Sequence, residues 1–379
     1  MVTLQQPPVF NSSSSSSSLK PQLRFFTEKH VGNSCLVLRR KTMKVKASLG
    51  QSHCEFRSLN TPLEPRTNVG KFLSGVLQNH PQLFHINAKE ELKLLSDDRD
   101  SAVSRMLLSQ GSDEALLHRR IAKLKDKECE IAVEDVMYML ILQKFSEIRA
   151  PLVPKLSSCI YNGRLEILPS KDWELESLHS PEVLDIVREY TSLVTNLKAN
   201  PSINETWATT TTQKPRLRGV YVASILYGYL LKSVSLRYHL ERSLSLSTHD
   251  DPYAGHGSKG VIFGQKKSLV QYEWQGLVRE EEKIEGLKSY VMGFHTLLLQ
   301  RCGTLRSKEA VNMVRSHSQA LFGKEKSASS EHDDGDDDAI LTSFSSLRRL
   351  VLEAVAFGSF LWEAEDYIES VYKLKYHEP

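Results

Sequence analysis

Apolar positions recur along this chain mostly at helical spacing. Asn68 suits a helix N-cap, and Val69, Phe72, Leu73, Val76 and Leu77 follow on one face until Pro81 ends the run. Leu92 and Leu95 predict a short second helix. Ala102, Val103, Met106 and Leu107 predict a third, closed by Gly111. Ser112, with Asp113 and Glu114 behind it, reads as a new helix start. Arg119, Arg120, Lys123 and Lys125 lie further along, where their charge complements the helix dipole. The clearest amphipathic stripe is Val133, Val136, Met137, Leu140, Ile141, Phe145 and Ile148, and it stops before Pro151.

Helical spacing resumes further along the chain. Ser180-Pro181 places a capping residue before a proline at the first helical position, and Asn200-Pro201 ends that helix. Pro215 opens a long helix to about Leu244. Its stretch Gly219–Leu231 is apolar all round for thirteen positions. At 1.5 Å per residue that reaches only about 20 Å, against roughly 30 Å of bilayer hydrocarbon. A buried organising helix over 219–236 is therefore expected, with Leu226 a core residue whose change to alanine costs about 2–5 kcal/mol. Further helices are predicted over 277–302, from Ser307 to Phe322 before Gly323, and from Thr342 to Leu374. One β signal stands out: Asn162-Gly163 between short apolar runs marks a tight hairpin. The expected fold class is all-α, a multi-helix bundle with at most one small β-hairpin near 160–165. Two lobes are expected, 67–200 and 214–379, joined by a Thr-rich linker at 201–213. A Ser-, Asp- and Glu-rich stretch at 324–338 predicts a disordered loop.

Composition separates the N-terminus from the rest. Ser12–Ser18 is an unbroken serine run, acids are scarce, and no continuous apolar segment follows. Val45-Lys46-Ala47-Ser48 resembles a chloroplast transit-peptide cleavage site, so 1–47 reads as a transit peptide cut between Ala47 and Ser48, with 48–66 as a linker. The chain has 49 basic and 46 acidic residues, but eight of the basic and one of the acidic lie before Ser48. The remainder carries a charge of about −4, which argues against bulk attraction to nucleic acid or anionic lipid. The five cysteines show no CxxC spacing, so no zinc site or dithiol is supported.

Little chemistry is visible. Gly255–Gly260 satisfies GxGxxG, but no strand precedes it and no helix opens at it, so it reads as a loop. The acid run from Asp333 to Asp338 lacks calcium-loop spacing. The histidines are scattered, without a metal-binding pair. No catalytic residue, metal site or cofactor is expected. The one candidate ligand-binding set is Tyr227, Tyr229 and Arg237, on a helix crowded with tyrosines that would suit a small anionic or pigment-like molecule.

Several strings are more specific. Asn79–Phe84 (NHPQLF), Ala132–Tyr138 (AVEDVMY), Gly219-Val220-Tyr221, Leu240-Glu241-Arg242 and Arg306–Val311 (RSKEAV) resemble the chloroplast UV-B-induced protein family of plants, a domain-of-unknown-function family. The resemblance covers most of the chain after the transit segment. It implies a plastid protein linked to light stress and brings no catalytic residues. The function expected is a non-enzymatic helical interaction or regulatory protein of the stroma, with protein partners, no nucleic acid and no integral membrane span. The alternative is a small-ligand binding protein or enzyme using the Tyr-rich helix.

Overall fold

The computed structural model of the chain describes residues 61–196, 208–247, 286–323 and 339–376. Those residues belong to one unit, Glu55–Pro379. The transit segment with Ala47 and Ser48, the Gly255–Gly260 loop and the 324–338 acidic stretch lie outside the described residues.

The fold is mostly helical, as the periodicity predicts. Thr67 caps α1 (Asn68–Asn79), its hydroxyl accepting from the Gly70 N–H. The carboxylate of Asp135 accepts from the Arg66 and Thr67 amides at 2.8 and 2.7 Å, pinning the start of α1 to the amphipathic stripe that begins at Val133. The two short segments expected after Pro81 are one helix, α2 (Phe84–Leu108). It forms a hairpin with α3 (Ala115–Glu147). After α3 come strands β1 (Ile160–Tyr161) and β2 (Arg164–Leu165), then α4 (Asp172–Glu176) and α5 (Pro181–Thr195). Asn162 and Gly163 both take positive φ, the turn that Asn-Gly predicts.

The sheet is larger than this hairpin. Thr209–Gln213, within the stretch read as a linker, forms β3, and Ala339–Ser343 forms β4. The order is β1-β2-β4-β3, with β2 parallel and β3 antiparallel to β4. Four successive threonines favour the extended chain because their branched Cβ fits the pleat. Each of these two strands runs directly into a long helix: β3 into α6 (Lys214–Ser247) and β4 into α10 (Phe344–Glu369). Between them lie α7 (Leu287–Met292), α8 (Thr296–Gly303) and α9 (Lys308–Phe322). Ser307 caps α9, and Gly323 follows it at φ +85°.

The two strand–helix units are related by a local two-fold. Thr211 pairs with Leu341, 130 positions away, and the ladder is symmetric about that pair. Gly228 and Gly358 are also 130 positions apart. A Cβ on Gly228 would sit 2.0 Å from the Val355 carbonyl oxygen, and one on Gly358 would sit 1.9 Å from that of Ile225. Both glycines are thus required for backbone to meet backbone, and α6–α10 is the most extensive helix pairing in the fold.

This crossing corrects the reading of Leu226. The buried face of α6 is Leu217, Tyr221, Ile225, Tyr229 and Val234, whereas Leu226 is 37% exposed. The fully buried helix is α10, where Leu350–Leu361 is enclosed on all sides. By length and composition α6 is long and apolar enough to cross a membrane, beyond the thirteen positions counted above, and 39% of its most apolar window is buried against protein.

Candidate functional site

The three residues of the expected ligand set go to different places. Tyr227 stacks on Tyr190 with ring centroids 4.0 Å apart, and burial pushes its hydroxyl up to about 12. Tyr229 is buried on another face of α6 and donates to Glu365 at 2.5 Å. Arg237 pairs with Glu241 at 2.7 Å, and its guanidinium lies 5.7 Å from the Phe294 ring centroid. Two residues along a helix is about 200° of rotation, so Tyr227 and Tyr229 cannot line one wall. Tyr227 instead borders a shallow depression of about 220 Å³ with Tyr190 and Lys288.

What the sequence reading missed is a buried polar centre between α6, α9 and α10. Glu353 has no exposure. It accepts from the Val153 amide at 2.8 Å and the Tyr221 hydroxyl at 3.2 Å, and pairs with Arg349 at 3.0 Å. Burial raises its carboxyl above the usual range, against the lowering influence of Arg349. The Tyr221 hydroxyl also meets His317 Nε2 at 2.9 Å, and His317 stacks on Phe357. Burial pushes His317 down to about 3, so it is neutral. A second buried acid, Glu365, accepts from the Ser307 amide at 2.9 Å beside the α9 cap. These groups tie helices together, and the described residues hold no metal-ligating cluster. The available signal was an Arg and a Glu four positions apart inside the apolar run of α10, the spacing of a same-face ion pair.

The surface offers a different feature. α3 changes character near Ala132: from there to Gln143 every residue is buried, while most of its first half is exposed. Leu117, Ile121 and Leu124 fall at i, i+4 and i+7 on that half and all face solvent. Arg120, Lys123 and Lys127 are exposed along one side of that stripe, Arg119 is exposed further round the helix, and Glu128 is exposed one turn beyond Leu124. On α2, Val103, Leu107 and Leu108 are exposed near the same tip, Leu108 by 86%. The tip of the α2–α3 hairpin thus carries an exposed apolar stripe with basic residues alongside it.

Fold and site together define a mostly helical protein with a small mixed sheet, a buried ionic centre and an exposed apolar-basic arm. Residues 116–244, from the start of α3 to the end of α6, match the family described as Protein of unknown function (DUF760). The chain is 33% identical over 359 residues to the chloroplastic UV-B-induced protein of Arabidopsis thaliana, covering 88% of this chain and 83% of that protein. The chain belongs to this family of chloroplast UV-B-induced proteins. No solved structure matches it.

Proposed function

We propose that this chloroplast protein works in the stroma as a non-enzymatic docking protein linked to the UV-B or light-stress response. The α2–α3 arm holds a protein partner whose apolar groove is edged with carboxylates. The observation that carries this reading is the exposed Leu117, Ile121 and Leu124 stripe with Arg120, Lys123 and Lys127 exposed along one side of it. Apolar area supplies affinity and the basic fringe selects an acidic surface. Nucleic acid is disfavoured because the chain beyond the N-terminal segment is mildly acidic. A membrane span at α6 is disfavoured because Tyr221, Ile225 and Tyr229 face α10 rather than lipid. Processing between Ala47 and Ser48 completes the reading.

The test compares the protein with Ile121→Glu on the arm and Leu193→Glu as a distant surface control. Leu193, on α5, is exposed as well. From stromal extract, wild type and the control should retain the same partner, and Ile121→Glu should retain it at least about tenfold less. Equal recovery by all three contradicts the proposal. So does flotation of wild type, but not Ile121→Glu, with anionic lipid vesicles, which would make lipid the occupant.

A further inference from the structure

Where α3 ends and the chain turns toward β1, the fold leaves a half-open cavity of about 650 Å³. Its inner wall is apolar: Leu142, Phe145, Leu152, Val153 and Ile167 are all buried. Three cationic side chains border it, Arg149, Lys171 and Arg349. The size and the apolar wall with a few polar groups match small-molecule sites, which run about 300–1,000 Å³.

Two independent features single out the cations. Arg349 is 2% exposed. It donates from Nη2 to the Pro151 carbonyl at 2.7 Å and pairs through Nη1 with Glu353, yet its Nε–H has no acceptor. A buried donor left without an acceptor is uncommon and calls for a cause. The second feature is backbone strain. Four non-glycine residues take positive φ among those described: Asn162, Asn196, Arg149 and Lys171. Asparagine tolerates that region; arginine and lysine do not. Arg149 occupies the closing position of α3, where the Ala150 amide reaches the Phe145 carbonyl and the Arg149 amide reaches that of Ser146, both at 3.1 Å. That motif ordinarily ends on glycine. Both strained cations stand on the rim of this cavity, and strain of this kind gathers at ligand sites.

We infer that the cavity binds a long-chain carboxylate. The apolar body lies on Phe145, Leu152 and Ile167, and the carboxylate is drawn to Arg349, with Arg149 and Lys171 at the mouth. Lys171 already pairs with Glu174 at 2.6 Å, and Arg349 pairs with Glu353. What remains open is the buried Nε–H of Arg349 and the exposed Arg149 at the mouth, a donor set that suits one carboxylate group better than a multiply charged phosphate ester or dicarboxylate. This site does not depend on the docking arm and stands or falls separately.

The probe is cis-parinaric acid, displaced from the intact protein by dodecanoate or by dodecan-1-ol. The proposal expects saturable binding and displacement by the acid at least about tenfold better than by the alcohol. Arg149→Gly, which suits the left-handed backbone and so folds, should weaken the acid about threefold to fivefold and leave the alcohol unchanged. Arg349→Met should erase the preference for acid over alcohol. Ser146→Trp, at an exposed lining position, should block both ligands and serves if Arg349→Met does not fold. Absence of saturable binding, equal displacement by acid and alcohol, or unaltered affinities in Arg149→Gly and Ser146→Trp overturns the proposal. So does binding that emerges only after residues 48–60 are removed, because Thr61 borders the cavity and the chain's own upstream segment would then be its occupant.

Discussion

Arg149 holds a full side chain at φ +56°, on the backbone that closes α3. At such a position the cost lies in Cβ, not in the guanidinium. Arg149→Gly should therefore be more stable than Arg149→Ala by about 1 kcal/mol in urea unfolding. Equal midpoints would show that the left-handed position carries no strain. His317 makes a pH prediction. Its pKa is held near 3 by burial, whereas the unfolded chain's histidine titrates near 6.5. Between those values the unfolded state binds the extra proton, so stability is intact above about pH 6.5 and falls as pH drops toward 3. Burial raises Glu353, Glu309 and Asp172, which acts in the opposite direction above pH 4.5. The comparison must therefore be differential. Wild type should lose up to about 1.4 kcal/mol per pH unit more than His317→Gln across pH 6.5 to 4. Parallel pH profiles would show that His317 titrates in the native protein as it does in the unfolded chain. Neither residue announced itself in the sequence. A lone histidine and an arginine after a helix look ordinary until burial and φ are known.

Elements were the most legible scale, because their signals are local. The Asn162-Gly163 turn, Pro181 at the start of α5, Ser307 before α9 and Gly323 after it each act through one or two residues of backbone chemistry, and each does so in the fold. The α6–α10 crossing was not legible. Its logic is a contact across 130 positions, and of its two-fold only the matched glycines and Thr211–Leu341 show in the residues. Periodicity also failed along Gly219–Leu231, since a segment apolar all round does not say which face turns inward. The correction is measurable. Ile225→Ala should cost about 2–5 kcal/mol, and Leu226→Ala should cost less than about 1 kcal/mol. Gly358→Ala drives a Cβ into the Ile225 carbonyl and should cost about 3 kcal/mol or more. By contrast Gly75→Ala in α1, where nothing lies within 4 Å, should gain about 0.5–1 kcal/mol. A tolerated Gly358→Ala would mean that the two helices do not meet backbone to backbone.

At the scale of the whole molecule, the chloroplast address and the mostly helical architecture could be read from composition and periodicity, whereas the proposed docking surface could not. The expected Tyr227, Tyr229 and Arg237 set looked compact in sequence because helical rotation is invisible in a string. The arm was hidden for the opposite reason. Leu117, Ile121 and Leu124 read as any amphipathic stripe reads, and only the fold shows that they stay exposed. Their placement makes one measurement decisive. A photoreactive crosslinker is installed at Leu117, or at Leu193 as the control, and each protein is irradiated in intact stroma. Docking through the arm predicts one discrete protein adduct from position 117, diminished by high salt because the fringe is basic, and none from position 193. No adduct from position 117, or the same adducts from both positions, would contradict it.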